Sequence, residues 1–137
     1  MVEIVLKGHK VYKGKVEGEA LVSHEPMSFM GGVDPETGVV VDKGHELEGC
    51  TLAGKILVFP VEKGSTFGSH KIYEMARCKT APKGIISLRA RSIVAVGAII
   101  SNIPMVDRLD GNPLELIKTG DYVELDADQG TVKVRST

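Results

Sequence analysis

The chain lacks a surplus of charge of either sign: Lys plus Arg total 17 against 18 for Asp plus Glu, a formal net charge of -1. Without a cationic surplus there is no electrostatic footprint for a polyanion, which argues against nucleic acid as a partner. Cysteine is scarce as well. Only Cys50 and Cys78 are present, far apart and in no CxxC spacing. Neither a zinc site nor a complete thiolate-ligated cluster is therefore expected from this chain alone, and both thiols are expected to be reduced core residues. The four histidines, His9, His24, His45 and His70, form no pair at metal-binding helical spacing; solvent-facing or capping roles are expected of them rather than ligation. Long apolar runs are missing too. The start, MVEIVLKGHK, reaches a lysine after six residues, too short for a signal-peptide core, and no 18-residue apolar stretch follows. No membrane association and a cytoplasmic location are expected. Repeats, low-complexity tracts and linkers are also absent, so the 137 residues are expected to form one domain, 1–137, large enough to bury a core without disulfides.

Several element signatures stand out against these absences. EIVLKGHKVYKGKVEGEALVS alternates and is rich in β-branched residues, with Gly14 and Gly18 as turn or bulge points, which reads as a hairpin-like opening pair. HEPMSFMGGVDPETGVVVDKGHELEG reads as a long irregular segment around one short strand at Val39 to Val41. GKILVFP and APKGIISLRA each carry a short continuous apolar run, the mark of a strand covered on both faces. In SHKIYEMARCKT, Ile72, Met75, Ala76 and Lys79 fall at i, i+3, i+4 and i+7, which predicts a helix of about three turns with Ser69 as a candidate cap. SIVAVGAIISNIPMV suits a short helix or a strand, and periodicity leaves that open; it reads as core, with tight contact to a partner through Gly97 and Ala98 as the alternative. GDYVELDADQGTVKVR is a hairpin turning at Asp128-Gln129-Gly130. The class is mixed α/β and strand-rich.

The stretch with the most chemistry is FPVEKGSTFGSHKIYEMARC, where a strand end, a Gly/Ser/Thr-rich turn and a helix follow one another. Backbone N–H groups of Gly64, Ser65, Thr66 and Phe67 near a helix start favour an anion, so the turn reads as an oxyanion or carboxylate cradle, flanked by Lys63 and Ser69. His70 is the histidine nearest to it. The turn is not a P-loop, because the glycine spacing and the following lysine are absent, and not a Gly-x-Ser-x-Gly elbow, because no glycine stands at the required place after Ser65. The plainer reading is an ordinary strand-to-helix turn with capping hydroxyls. Spacing alone leaves both open.

Three stretches taken together, SFMGGVDPETGVVVD, LVFPVEKGSTFGSHKIYEM and SIVAVGAIISNIPMVD, resemble the small subunits of the aconitase X family over almost the whole chain and in the same order. The resemblance implies an aconitase-type swivelling β/β/α domain that closes over a larger aconitase X-type subunit. It implies that the partner holds a 4Fe-4S cluster and that this chain binds no cofactor alone. The implied reaction is dehydration of a small phosphorylated hydroxy acid, 5-phosphomevalonate, to trans-anhydromevalonate 5-phosphate. A cluster iron would take the hydroxyl while a base removes the proton alpha to the carboxylate. By motif match that proton acceptor is Ser65, with Thr66 and Ser69 as fallback candidates, and Lys63, Gly64, Thr66 and Ser69 are the implied substrate-binding residues. The alternatives are a related dehydratase acting on cis-3-hydroxy-L-proline or another hydroxy acid, and a non-catalytic module using the same fold to clamp a partner. FMGGVDPETG then lines either the subunit interface or the substrate mouth, against the plainer reading of a pair of turns.

Overall fold

Two four-residue runs, ILVF and GIIS, are buried at every position, and the layering explains why. The computed structural model describes residues 2–64 and 67–136. The elements are β1 Val2–Lys7, β2 His9–Tyr12, β3 Lys15–Val22, β4 Ile56–Phe59, α1 Gly68–Arg77, β5 Gly84–Ser87, α2 Ser92–Ile100, β6 Met105–Asp107, α3 Pro113–Leu116, β7 Tyr122–Asp126 and β8 Thr131–Ser136. The strands line up in the order β1-β8-β7-β3-β4-β5-β6-β2. β3, β4, β5 and β6 run parallel, whereas β1, β8 and β7 are antiparallel to their neighbours, as β2 is to β6. β3 joins the two halves: its residues 15–19 pair with β7 and its residues 20–22 with β4.

Because side chains alternate along a strand, each parallel strand feeds two cores. Leu57, Phe59, Ile85 and Met105 face α1 and α2, packing with Ile72, Met75, Val94 and Ala98. Ile56, Val58, Ile86 and Val106 face the other way, onto Val123, Leu125, Val132 and Val134 of the antiparallel hairpin. The result is three layers, antiparallel sheet, parallel sheet and helices: the strand-rich β/β/α architecture expected of a swivel domain. Both faces of β4 and β5 lie in a core, so β4 carries no polar residue and β5 only Ser87 at its end.

The run at 92–107 resolves into α2 and then β6. Val94, Gly97 and Ala98 form the buried stripe of α2, at i, i+3 and i+4. A Cβ built on Gly97 would meet Ile72 Cδ1 at 2.7 Å, so this glycine lets α2 lie close against α1. Gly97 and Ala98 thus pack inside the chain. α1 ends with Lys79 in the left-handed region, φ 62°. Thr80 N donates to Met75 O at 2.9 Å and Lys79 N to Ala76 O at 3.2 Å, satisfying carbonyls that the helix end leaves open.

Several expectations fail. The opening strands form no hairpin: β1 pairs with β8, β2 with β6, and β3 with β7 and β4. Alternation marks a strand but does not choose its partner. Leu6 packs with Val132 and Val134 in the second core, which draws β1 to the end of the chain. Gly14 does turn, at φ 126°, but Gly18 lies inside β3 opposite Val123. Val39 to Val41 makes only isolated bridges, Val33 with Val40 and Val39 with Thr51. Ser69 does not cap α1; the helix starts at Gly68 with Phe67 in the cap position, which leaves Ser69 inside the first turn. Cys78 is exposed at the end of α1 and Cys50 only half-buried, rather than both being core residues. Lys79 is exposed beyond the helix. The short α3 is unforeseen; Pro113 opens it and Asn112 Oδ1 caps it by accepting from Leu114 N at 3.0 Å. Among the described residues no helix is long and apolar enough to cross a membrane.

Candidate functional site

All four parallel strands end on one edge, and the chain concentrates buried polar side chains there: Ser23 beyond β3, Glu62 beyond β4, Ser87 at the end of β5 and Asp107 at the end of β6. In open parallel sheets this carboxyl edge is where loops are free to build a site. The Gly/Ser/Thr-rich turn leaves the same edge, between β4 and α1. Ser65 and Thr66 fall outside the described residues.

The approach to the turn is held by residue 27. Met27 N donates to Val61 O at 3.1 Å and Lys63 N donates to Met27 O at 2.8 Å, which extends the parallel pairing beyond β4. Gly64 then adopts φ 96°, a left-handed value that favours glycine. A Cβ there would meet Ser28 Oγ at 3.1 Å, so the Ser28–Gly32 loop is pressed against the turn. That loop is itself glycine-dependent: a Cβ on Gly32 would lie 2.2 Å from Ser28 O. The segment does form the pair of turns of the plainer reading, at 30–32 and 35–37, and Ser28 at the foot of the first lies against the turn at Gly64. Across from it, Lys63 Nζ lies 3.9 Å from Asp42 Oδ2. Ser28, Met30, Gly31, Gly32, Asp42 and Lys63 line an open depression of about 310 Å³. Gly68, first in α1, sits 3.2 Å by its Cβ direction from Ile93 Cγ2, so the helix start is packed onto α2. Phe67 and His70 lie ring to ring, centroids 6.0 Å apart, with both side chains exposed.

Two of the edge carboxyls behave differently. Asp107 is fully used: Oδ1 contacts His9 Nδ1 at 2.8 Å and Oδ2 accepts from Ala90 N at 2.8 Å. Glu62 is only 2% exposed, yet neither of its carboxyl oxygens has a hydrogen-bond partner among the described residues, and the buried Ser87 hydroxyl has none either. A second cavity, about 410 Å³, opens beside Val61 and is lined by Arg89, Ala90, Arg91 and Ser92. A roomier groove of about 460 Å³ lies away from this edge, on β3, β7 and β8. Its lining alternates in charge, Lys15, Glu17, Glu124, Asp126 and Lys133, with Lys15 paired to Asp126, and it carries none of the edge groups.

The histidines serve the scaffold. Buried His45 donates from Nε2 to Pro26 O at 3.0 Å and accepts at Nδ1 from Leu47 N at 3.0 Å. This fixes a neutral Nε2–H tautomer and staples the loop behind Lys63. His24 contacts Glu46 Oε2 at 2.9 Å and Leu114 O at 3.1 Å. The hydrogen bond to Glu46, then that to the Leu114 carbonyl, holds its pKa above the usual histidine value. For Glu46, burial pushes upward, but the hydrogen bonds and charge of His24 prevail and hold its carboxyl below the usual range. His9 and His70 are exposed. Among the described residues no three or more His, Cys, Asp or Glu side chains form a group able to hold a metal ion.

Of the predicted site residues, Lys63, Gly64 and Ser69 are brought to the turn, Ser69 as the second residue of α1. Sequence reasoning missed Ser28, Asp42, Glu62, Arg89, Arg91 and Asp107. Several of these stand just beyond a buried apolar run, and that position was the available signal.

The aconitase X swivel-domain profile matches residues 5–134. The chain is 51% identical over 129 residues to the phosphomevalonate dehydratase small subunit of Methanocella arvoryzae, a match covering 94% of this chain and 98% of that protein. It is 55% identical to the protein of the same name from Thermococcus kodakarensis, covering 94% of this chain and 95% of that one. Its backbone is similar to the crystal structure of Thermococcus kodakaraensis aconitase X in its holo-form, with TM-score 0.92 and 53% identity over 97% of this chain and 99% of that one.

Proposed function

The chain belongs to the aconitase X swivel-domain family, and from that premise we propose that it is the small subunit of a hydro-lyase that dehydrates 5-phosphomevalonate to trans-anhydromevalonate 5-phosphate in isoprenoid biosynthesis. The observation that carries this reading is near end-to-end identity: relatives named for this reaction are 51% and 55% identical and aligned over 98% and 95% of their own lengths. The whole chain, 1–137, acts as one swivel domain that docks on a larger subunit in the cytoplasm. A nucleic-acid or membrane partner has no place in this reading.

Ser65 is the proton acceptor. A hydroxyl is a weak base at its free pKa and needs donors and positive charge around its oxyanion. Three features support that role here. Gly64 carries the left-handed backbone that starts the turn, α1 begins at Gly68 just beyond it, and Lys63 brings a cation two residues away. Lys63, Gly64, Thr66 and Ser69 contact substrate, with Thr66 and Ser69 next in line for the proton. The 4Fe-4S cluster is assigned to the larger partner. This chain's donor set does not fit such a group, since its two thiols sit one at residue 50 and one at the end of α1 and a thiolate-ligated cluster takes three or four ligands close together. No step on this chain runs through it.

The test is anaerobic co-expression with the neighbouring large-subunit candidate and an assay for anhydromevalonate phosphate, with each chain alone as control. Turnover is expected only from the pair, and Ser65→Ala is expected to lower kcat by about 10²–10⁴-fold, the usual range for a lost acid or base, with assembly intact. A stable pair that ignores 5-phosphomevalonate but dehydrates cis-3-hydroxy-L-proline would overturn the substrate. Full activity of an assembled Ser65→Ala pair would overturn the residue.

A further inference from the structure

We infer that Arg89 and Arg91 form the subsite on this chain for the phosphate of the substrate, an inference that rests on the phosphorylated substrate proposed above. Both arginines are exposed and line the 410 Å³ cavity beside Val61, at the carboxyl edge from which the turn also leaves. Neither has an ion pair or side-chain hydrogen bond among the described residues. Other cations near this edge are already engaged, Lys63 with Asp42, Lys71 with Glu74 and Arg108 with Asp107. No acidic residue lines the cavity, which separates it from the two cavities that Lys63 shares with Asp42.

The loop carrying the pair is built rather than loose. Asp107, 2% exposed, accepts from Ala90 N at 2.8 Å, between the two arginines, and Arg108 N donates to Leu88 O at 3.1 Å. A buried carboxylate is retained only where it is well partnered. This one fixes the backbone on which both guanidinium groups stand, which lowers the ordering cost of closing on a ligand. Planar guanidinium forks match phosphate oxygens, and two of them match its double negative charge. Val61 lines the cavity and stands two residues before Lys63, so the cavity adjoins the segment that leads to the turn. The acid end would lie at the turn and the phosphate end at the arginines.

The experiment uses the reconstituted pair of subunits with Arg89→Gln, Arg91→Gln, the double variant and Arg77→Gln as a control at the far end of α1. Two readouts are taken: steady-state kinetics on 5-phosphomevalonate, and the melting temperature of the complex as inorganic phosphate is added. Each substitution is expected to raise KM about tenfold or more, since a charge-assisted hydrogen bond is worth roughly 1.5–3 kcal/mol and 1.4 kcal/mol is tenfold, with a far smaller change in kcat. Phosphate is expected to stabilise the wild-type and Arg77→Gln complexes and not the double variant. A double variant with wild-type KM, or one that phosphate stabilises as strongly as wild type, overturns the assignment. A wild-type complex that phosphate stabilises through these arginines but that does not turn over 5-phosphomevalonate refutes the substrate and leaves the anion site standing.

Discussion

Gly97→Ala tests whether the close approach of α1 and α2 governs the helical layer. The new Cβ would stand 2.7 Å from Ile72 Cδ1, closer than such carbons approach, and 3.1 Å from Ile72 Cβ and 3.3 Å from Ile72 Cγ2, tighter than most such contacts. Two effects compete. Replacing glycine inside a helix favours the folded state by about 0.8–1 kcal/mol, whereas overpacking a filled core costs about 1–3 kcal/mol. Ile72 is completely buried between α1 and its neighbours, which leaves little room to yield, so the clash is expected to win by about 1 kcal/mol, a fall in Tm of about 3–5 °C for a chain this size. The partner substitution isolates the cause. Ile72→Val removes Cδ1, the nearest atom, and in that background Gly97→Ala should cost about 1 kcal/mol less than in wild type. Thermal or urea unfolding of the four proteins gives the coupling directly. A stabilising Gly97→Ala, or a coupling within the 0.3–0.5 kcal/mol expected of independent sites, would refute the packing argument.

Two further outcomes follow from buried and paired charge. Glu62→Leu should raise the stability of the isolated chain by about 1–3 kcal/mol, because it removes a 2%-exposed carboxyl whose oxygens lack donors among the described residues; an unchanged or lower Tm would contradict this. The His24–Glu46 pair should stabilise only within a pH window. His24 has a raised pKa, so its contribution is full below the usual value near 6.5 and lost as pH rises through the folded value. Glu46 has a lowered pKa, so its contribution is present above the usual value near 4.5 and lost as pH falls through the folded value. The Tm gap between wild type and His24→Ala should therefore be widest at about pH 5–6 and shrink on both sides and in high salt. A gap that is flat from pH 4 to 9 would rule the linkage out.

The sequence by itself marked most of the strands and singled out the turn after β4 as the candidate site. ILVF is an unbroken apolar run, and GIIS is one up to Ser87 at its end, because both faces of β4 and β5 lie in a core and a covered strand has no polar face to alternate with. The closing hairpin was legible because Gly130, at φ 72°, answers a backbone demand written locally. The Gly64 turn was legible for the same reason. Only the tertiary structure decided what depends on neighbours distant in the chain. β1 and β2 read as a hairpin pair, yet each found its partner, β8 and β6, through core contacts about a hundred residues away. SIVAVGAII could have been either element until Ile72 required a residue without a side chain at 97. Ser28, Asp42 and Arg89 lie in loops with no motif of their own, and nothing local marks them. They come to the edge of the candidate site because four parallel strands end there, and strand order is fixed by the packing of two cores rather than by any stretch of sequence.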